Sequence, residues 1–320
     1  MNVLVTGGTG TLGGYVIREL LRAGHTVSNY SRSAAPLTGV RMIQGDINDP
    51  EPLKEACVGQ DAILHMAAVP GPGRQPPAQL LHVNVIGTVH VLEAAVGAGV
   101  PRFVLASSGA ATGFSFQKRN LVPRYLPLDE DHPCEPQDEY GLSKLLAEIT
   151  CKRYTDAYGI RTLCLRVNHN WYVDREGAAC ACGSGWARNL TVEDLWTQRY
   201  LKVLDDPEGE WPVPGPPAPH KLLWSCTDAR DAAQAFRLAV EKETLRHEVF
   251  LINGRDTCSC EESARLIERH YPGVPLTRAL QGFDTLWSCG KAMRLLGYQP
   301  KFTWRQSDFQ AWRERLKSTS

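Results

Sequence analysis

The first 170 residues alternate two hydrophobic patterns: short apolar runs rich in β-branched residues, and segments whose apolar positions recur every three or four residues. Asn2 to Thr6 is the first run and ends in a glycine-rich turn. Tyr15 to Ala23 then carries helical spacing. His25 to Tyr30 and Asp61 to Met66 (DAILHM) read as strands, Val83 to Ala98 as a helix, and Arg102 to Ala106 (RFVLA) as a strand. After Glu139 the spacing predicts a helix through Tyr158, followed by a strand over Arg161 to Arg166. Strands separated by helices in this way predict a parallel sheet with helices on both faces, a doubly wound α/β fold.

The pattern breaks from Asn168 to His220, where glycine and cysteine cluster around Ala178 to Gly185 and WPVPGPPAP occupies Trp211 to Pro219. Periodicity resumes in a helix over Thr227 to Glu241, with Thr227 or Asp228 as its N-cap, and in a last strand at Glu248 to Ile252. From Thr257 two or three short helices and a tail are expected. The division that follows is a dinucleotide-binding domain of residues 1–166 plus 227–255, and a smaller, mostly C-terminal substrate lobe of 167–226 plus 256–320. No internal repeat is present.

Composition narrows the function classes. Lys plus Arg and Asp plus Glu are 35 each, so no global field attracts nucleic acid or an anionic membrane. The N-terminus lacks the features of a secretory signal and no stretch approaches eighteen apolar residues, which predicts a cytoplasmic protein. Ten cysteines diluted through 320 residues read as free thiols. Cys180/Cys182 and Cys258/Cys260 form C-x-C pairs, tighter than the usual zinc-ligand spacing, so no metal is expected.

Candidate chemistry begins at Thr6 to Gly13, TGGTGTLG, where Gly7, Gly10 and Gly13 fall at G-x-x-G-x-x-G between the first predicted strand and helix. Glycine there permits a tight turn and close approach to a pyrophosphate, and the helix N-terminus adds amide donors, so Gly7, Thr9, Gly10, Thr11, Leu12 and Gly13 are expected to bind a dinucleotide in a Rossmann-type fold. At the end of the second strand, Asn29-Tyr30-Ser31-Arg32-Ser33 offers no carboxylate for a ribose 2′-hydroxyl, while Arg32 between Ser31 and Ser33 suits a 2′-phosphate. NADP is preferred over NAD on that ground. Tyr140 and Lys144, at i and i+4, share one helix face, and a lysine ammonium near a phenol is expected to lower its pKa so that the tyrosine exchanges protons near neutrality.

Taken together these motifs resemble the extended short-chain dehydrogenases/reductases, the group that includes NAD-dependent sugar epimerases and dehydratases. The resemblance adds GDINDP at Gly45 to Pro50, DAILHMAA at Asp61 to Ala68, NVIGTVHVLEAA at Asn84 to Ala95, FVLASSGAATG at Phe103 to Gly113, YGLSK at Tyr140 and LRV at Leu165, in the family's order. It implies Asp46 and Ile47 beside the adenine, Met66, Ala67 and Ala68 lining the cofactor cleft, and Asn84 in the active-site hydrogen-bond network. It also implies Ser108 holding the substrate oxygen next to Tyr140, with Lys144 bonding the nicotinamide ribose. Ser107 falls one residue early for that role.

The departures lie near the substrate. Gly109 and Ala110 follow Ser108 where the group's dehydratases carry an acidic pair, which argues against a 4,6-dehydratase. Thr112-Gly113 stands for the usual Y-G, and His169 lies in an altered loop after Leu165-Arg166. Thr112 and His169 are carried as substrate contacts, with Lys221 where sugar-nucleotide enzymes often place an arginine, and Trp171, Trp186 and Trp224 as possible sugar-stacking rings. The resemblance further implies a homodimer through the helices at about Val83 to Ala98 and Tyr140 to Tyr158. The expected activity is hydride transfer at a secondary alcohol or ketone carbon of a sugar, sugar nucleotide or related polyol. The alternatives are an epimerase that retains NAD, and a catalytically silent dinucleotide sensor.

Overall fold

The computed structural model describes residues 1–33, 36–171, 222–259 and 261–303. Its strands, in chain order, are β1 (Asn2–Thr6), β2 (Thr26–Ser31), β3 (Val40–Gln44), β4 (Ala62–His65), β5 (Arg102–Ser108), β6 (Arg161–Val167), β7 (Asn170–Trp171), β8 (Thr227–Asp228) and β9 (His247–Ile252). Seven of them form one parallel sheet in the order β3-β2-β1-β4-β5-β6-β9, and β7 pairs with β8 in a small ribbon. The chain steps outward from β1 through β2 and β3, then returns to β4 on the other side. Ligands in open α/β sheets bind at such a reversal, outside the carboxyl ends of the strands.

The helices are α1 (Thr11–Arg22), α2 (Pro50–Cys57), α3 (Pro77–Leu81), α4 (Gly87–Gly97), α5 (Glu139–Tyr158), α6 (Ala229–Glu241), α7 (Ser263–His270) and α8 (Gly290–Leu296). The period-two alternation of a strand buried on both sides assigns them to faces. Val3 and Val5 point to one layer, where Val16 and Leu20 of α1 and Phe236 of α6 cover the sheet. Leu4, Ile63, Phe103 and Leu105 point to the other, against Val91 and Leu92 of α4 and Cys151 and Tyr154 of α5. A third cluster, including Phe114, Leu128, Trp224, Leu266 and Trp287, joins the loop after β5 to the C-terminal segments.

Two elements escape the sequence pattern. β3 is an edge strand with no buried residue, so neither face imposes alternation, and α2 has only eight residues and starts on a proline. The helix expected over Val83 to Ala98 starts earlier. Pro77–Gly97 runs as α3, a π-helical turn at His82–Ile86, and α4. Among the described residues this run is the one helix long and apolar enough to cross a membrane by length and composition, although Gln79, His82, Asn84, His90 and Glu93 interrupt its apolar residues. Its apolarity has a packing reason: Leu80, Val91, Leu92, Ala94 and Ala95 are buried inside the fold.

Asp228 rather than Thr227 caps α6, its Oδ1 accepting the Arg230 amide at 2.9 Å, and both residues belong to β8. Cys180, Cys182, Cys260, Trp186, the Trp211 to Pro219 stretch and Lys221 lie outside the described residues, as does the Trp171 side chain.

Candidate active site

At the carboxyl end of β1 the backbone needs glycine for three separate reasons. Gly7 has φ +73°, and a Cβ on it would lie 2.7 Å from Ala67 backbone atoms. A Cβ on Gly13 would lie 2.5 Å from the Gly8 carbonyl oxygen, so Gly13 lets α1 pack onto the turn. A Cβ on Gly10 would meet only the Gly7 oxygen, at 3.3 Å, and Gly10 is the N-cap of α1 with no side chain to cover the first-turn amides. Thr9, Thr11 and Leu12 are half-buried around this rim. A glycine-rich turn leading into a helix whose N-cap residue has no side chain fits a pyrophosphate.

β1 and β4 are tied together behind this turn by an imidazole. His65 Nδ1 lies 2.7 Å from Thr6 Oγ1 and its Nε2 3.1 Å from Thr88 Oγ1. Thr88 spends its own proton on the Asn84 carbonyl at 2.6 Å, so Nε2 donates and Nδ1 accepts. Burial, with Lys144 nearby, lowers the His65 pKa to about 3, so the neutral ring serves as a fixed spacer. The Met66 amide bonds the Thr6 carbonyl at 3.0 Å, and Met66, Ala67 and Ala68 follow half-buried at the strand end.

The end of β2 is joined to the glycine turn. Asn29 Oδ1 accepts the Gly8 amide at 2.8 Å while its Nδ2 donates to Ser31 Oγ at 3.1 Å, and Ser31 donates to the Ser33 carbonyl at 2.8 Å. Arg32 and Ser33 are exposed beyond this frame. Asp46 Oδ1 accepts from the Asn48 amide and side chain, both at 2.9 Å, and Ile47 packs where a Cβ on Gly87 would lie 2.6 Å from its Cδ1.

Ser108, Tyr140 and Lys144 come together at the ends of β5 and α5. Asp138 caps α5, its Oδ1 accepting from Tyr140 and Gly141 amides at 2.9 and 2.8 Å, and the Ser108 hydroxyl is near enough to the Tyr140 phenol to act on its pKa. Ser108 Oγ also accepts the Ala110 amide at 3.2 Å, opening a 3-10 turn over Gly109–Thr112. Lys144 Nζ lies 5.7 Å from the Tyr140 ring centre and donates to the Ala106 carbonyl at 2.8 Å. Phe116 meets the Tyr140 ring edge-on with centres 6.0 Å apart.

The electrostatics correct one expectation. Burial pushes the Tyr140 pKa up to about 12, the nearby Ser108 hydroxyl offsetting part of it, and Lys144 does not bring it down. The ammonium is itself buried, which lowers it to about 8, and it is turned toward the Ala106 carbonyl rather than the phenol oxygen. At neutral pH the phenol therefore carries its proton. That is the form needed to deliver a proton to a carbonyl oxygen.

Asn84 supports the same corner. It sits in the π-helical turn, a feature frequent at functional sites, where Oδ1 accepts the Val69 amide at 2.7 Å and Nδ2 reaches Ser143 Oγ at 2.9 Å. Ser143 donates to the Tyr140 carbonyl at 2.7 Å.

Glu148, one turn beyond Lys144, holds Arg166 in a buried two-pronged pair at 2.9 and 2.7 Å and accepts a short bond from Ser107. Ser107 thus faces this network and Ser108 faces Tyr140. Sequence reasoning missed His65, Glu148 and Arg166. The Tyr140-Lys144-Glu148 spacing was the available signal for Glu148, since it repeats the i, i+4 step along α5.

Thr112 is a further correction. It is fully buried and its hydroxyl donates to the Gly109 carbonyl at 2.7 Å, so it shapes the loop and does not face substrate. Trp224 is likewise buried, packed edge-on against His270 and Tyr271, which makes it core rather than a sugar platform. His169 is half-buried at the end of β6, its carbonyl accepting the Thr227 amide at 3.0 Å.

Residues 3–180 match the family described as NAD dependent epimerase/dehydratase family. A UDP-glucose 4-epimerase of Corynebacterium glutamicum is 29% identical, over 95% of this chain and 92% of its own. A uronate dehydrogenase of Pseudomonas syringae is 34% identical over 76% of this chain and 86% of its own. Among solved structures, the UDP-glucose 4-epimerase of Brucella ovis in complex with NAD superposes with a TM-score of 0.68 at 23% identity, covering 94% of each chain.

Lys144 gives the site a pH signature. Its pKa falls from 10.5 unfolded to about 8 folded. Between those values the unfolded chain keeps a proton that the folded chain has released, so stability rises with pH across that window. We expect the stability of the wild type minus that of Lys144→Met, from urea unfolding, to grow by about 2 kcal/mol between about pH 7.5 and about pH 10. A flat difference would mean the ammonium is not desolvated.

Proposed function

The chain belongs to the NAD dependent epimerase/dehydratase family, and on that premise we propose that it is an NAD(P)-dependent oxidoreductase acting at a secondary alcohol or ketone carbon of a sugar, sugar nucleotide or related polyol. The observation that carries this reading is the meeting of Ser108, Tyr140 and Lys144 at the sheet edge that also presents the glycine cradle. Bound nicotinamide would supply the acceptor or donor of hydride.

The chain's own residues handle the proton. Ser108 and Tyr140 would hold the substrate oxygen between two hydroxyls, and in reduction Tyr140 gives up its proton as the carbonyl becomes an alcohol. In oxidation the proton runs the other way. Lys144, held on the Ala106 carbonyl beside Tyr140, would bond the nicotinamide ribose. Asn84 acts at one remove, through Ser143 and the first turn of α5.

Cofactor placement follows from the same geometry. The pyrophosphate would sit on Gly7, Thr9, Gly10, Thr11, Leu12 and Gly13, the adenine beside Asp46 and Ile47, and the ribose at Ser31, Arg32 and Ser33. With no carboxylate at the end of β2 and an exposed guanidinium flanked by two serines, NADP is favoured over NAD. His169 and Lys221 would meet the substrate, held in a lobe of residues 167–226 and 256–320. A second reading, an epimerase that retains NAD, draws on the full-length match to the Corynebacterium relative. The presence of all three chemistry-bearing side chains speaks against a silent sensor.

Cys57, Cys134, Cys151, Cys164 and Cys289 carry free thiols, in keeping with a reducing, cytoplasmic setting. Ile86, Leu142 and Ile149 are exposed apolar residues on the helical layer that contains α4 and α5. A second copy of the chain is the occupant we assign to that face, giving a homodimer.

Three measurements test these statements. Tyr140→Phe should lower kcat/KM for whichever sugar is turned over by about 10²- to 10⁴-fold while leaving the cofactor Kd unchanged; undiminished turnover sinks the mechanism. Arg32→Ala should weaken NADP binding about tenfold and NAD binding less than about twofold by calorimetry, and a wild type that prefers NAD refutes the NADP assignment. Ile149→Asp should convert a sedimenting dimer to monomer, and a monomeric wild type ends the dimer proposal.

A further inference from the structure

Asp138 carries more than its capping role requires. Its Oδ1 accepts both the Tyr140 and the Gly141 amides, at 2.9 and 2.8 Å, so one oxygen serves the first turn of α5. Serine, threonine or asparagine would cap those amides as well, with no charge. The other oxygen, Oδ2, is buried and accepts no hydrogen bond among the described residues, and Asp138 as a whole is only 6% exposed. Gly141 makes room for it, since a Cβ there would lie 2.9 Å from Oδ2. Half of this carboxylate is therefore left without a hydrogen bond, two residues before the phenol that handles the proton.

The described groups around it do little to cancel its charge. Lys144 is turned to the Ala106 carbonyl at 2.8 Å, while Lys118, on the loop that brings Phe116 to the Tyr140 ring, and Arg74, on the loop after β4, are exposed. His65 of β4 is neutral, Ser108 of β5 offers only a hydroxyl, and Glu139 adds a second carboxylate, bonded to the Gly73 amide at 3.0 Å. What Asp138 does offset is the partial positive charge at the N-terminus of the 20-residue α5, which under an uncharged cap would favour a phenolate at Tyr140. Burial is the largest cause of the raised Tyr140 pKa, and the Asp138 charge adds to it. Burial also pushes the Asp138 carboxyl upward, and the two amides it caps pull it back toward the ionised form.

We propose that Asp138 is a positioning residue for the proton: its carboxylate, acting through Tyr140, keeps the phenol protonated and so sets the resting site to donate. The assignment rests on the oxidoreductase reading above and gives that reading a direction. As a carbonyl carbon gains hydride, its oxygen takes the Tyr140 proton, and the phenolate left behind regains one from water, a return that the neighbouring carboxylate favours. Oxidation needs the phenolate first, so its rate rises with pH.

Asp138→Asn keeps a capping oxygen in the same place and removes the charge. Ionisation of Tyr140 is read from the ultraviolet absorbance of tyrosinate in the full chain between about pH 7 and about pH 11, with the same titration of a Tyr140→Phe version subtracted in each background. Loss of the carboxylate should move the ionisation to lower pH, raising its constant about three- to tenfold. Glu139→Gln, whose carboxylate is turned to Gly73, should change that constant less than about twofold. With UDP-glucose or D-glucuronate as substrate and NAD or NADP present, the pH profile of kcat/KM for oxidation should shift in the same direction in Asp138→Asn.

Should Asp138→Asn not fold, Asp138→Ser carries the same comparison. An ionisation that stays in place or moves to higher pH, even with a lowered melting temperature, would mean a capping role alone and overturn the assignment. A chain that turns over neither probe removes the oxidoreductase reading, while the absorbance titration, which needs no turnover, still decides the role of Asp138.

Discussion

The meeting of Ser108 and Tyr140 depends on how closely the first turn of α5 approaches the 3-10 turn after β5. A Cβ on Gly141 would lie 2.5 Å from the Ala110 carbonyl oxygen, so the approach exists only with glycine there. Asp138 fixes the direction of entry by capping two amides of α5. Because Ser108 ends a strand whose position is set by the parallel ladder, the helix brings its phenol to the sheet. Lys144, a turn later on the same face, arrives with it. Proton-transfer geometry is therefore a by-product of one tight helix–loop contact.

That corner concentrates buried ionisable groups, and each is accommodated differently. His65 stays neutral between two threonines, Arg166 and Glu148 neutralise each other, and Lys144 loses part of its affinity for a proton. Removing either partner of the Glu148–Arg166 pair would strand an uncompensated charge in the interior, a larger cost than the pair's own net contribution. The pair also crosses from α5 to β6 while Ser107 reaches it from β5, so it keeps β5, with Ser108 at its end, and α5, with Tyr140 in its first turn, in fixed relation to β6. A rigid frame of this sort is what holding a substrate oxygen between two hydroxyls demands.

Much of this was legible in the residues. Buried parallel strands read as apolar runs and covering helices as amphipathic ones, so β1, β2, β4, β5, β6, β9 and α5 could be placed within a residue or two. The edge strand β3 could not, since an unburied strand is under no patterning pressure. Glycine spacing exposed the cradle because backbone approach leaves a mark in sequence. The direction of the Tyr140 shift did not, because i, i+4 spacing says which groups are neighbours and nothing about how much water surrounds them. Thr112 misled for the same reason: a hydroxyl in a substrate loop looks the same in sequence whether it faces the cleft or its own backbone.

The glycine turn and the end of β2 share one connection. Asn29 bonds the Gly8 amide with its oxygen and Ser31 with its nitrogen, so the two segments are braced by a single buried carboxamide. A β-branched apolar residue at position 29 would satisfy the pattern of a buried strand equally well, and it would leave both the Gly8 amide and the Ser31 hydroxyl without this partner. Asn29, fully buried in β2, thus has a definite physical role. It pre-orders the turn that presents Arg32, so that this exposed side chain stands on a frame already set before any ligand arrives.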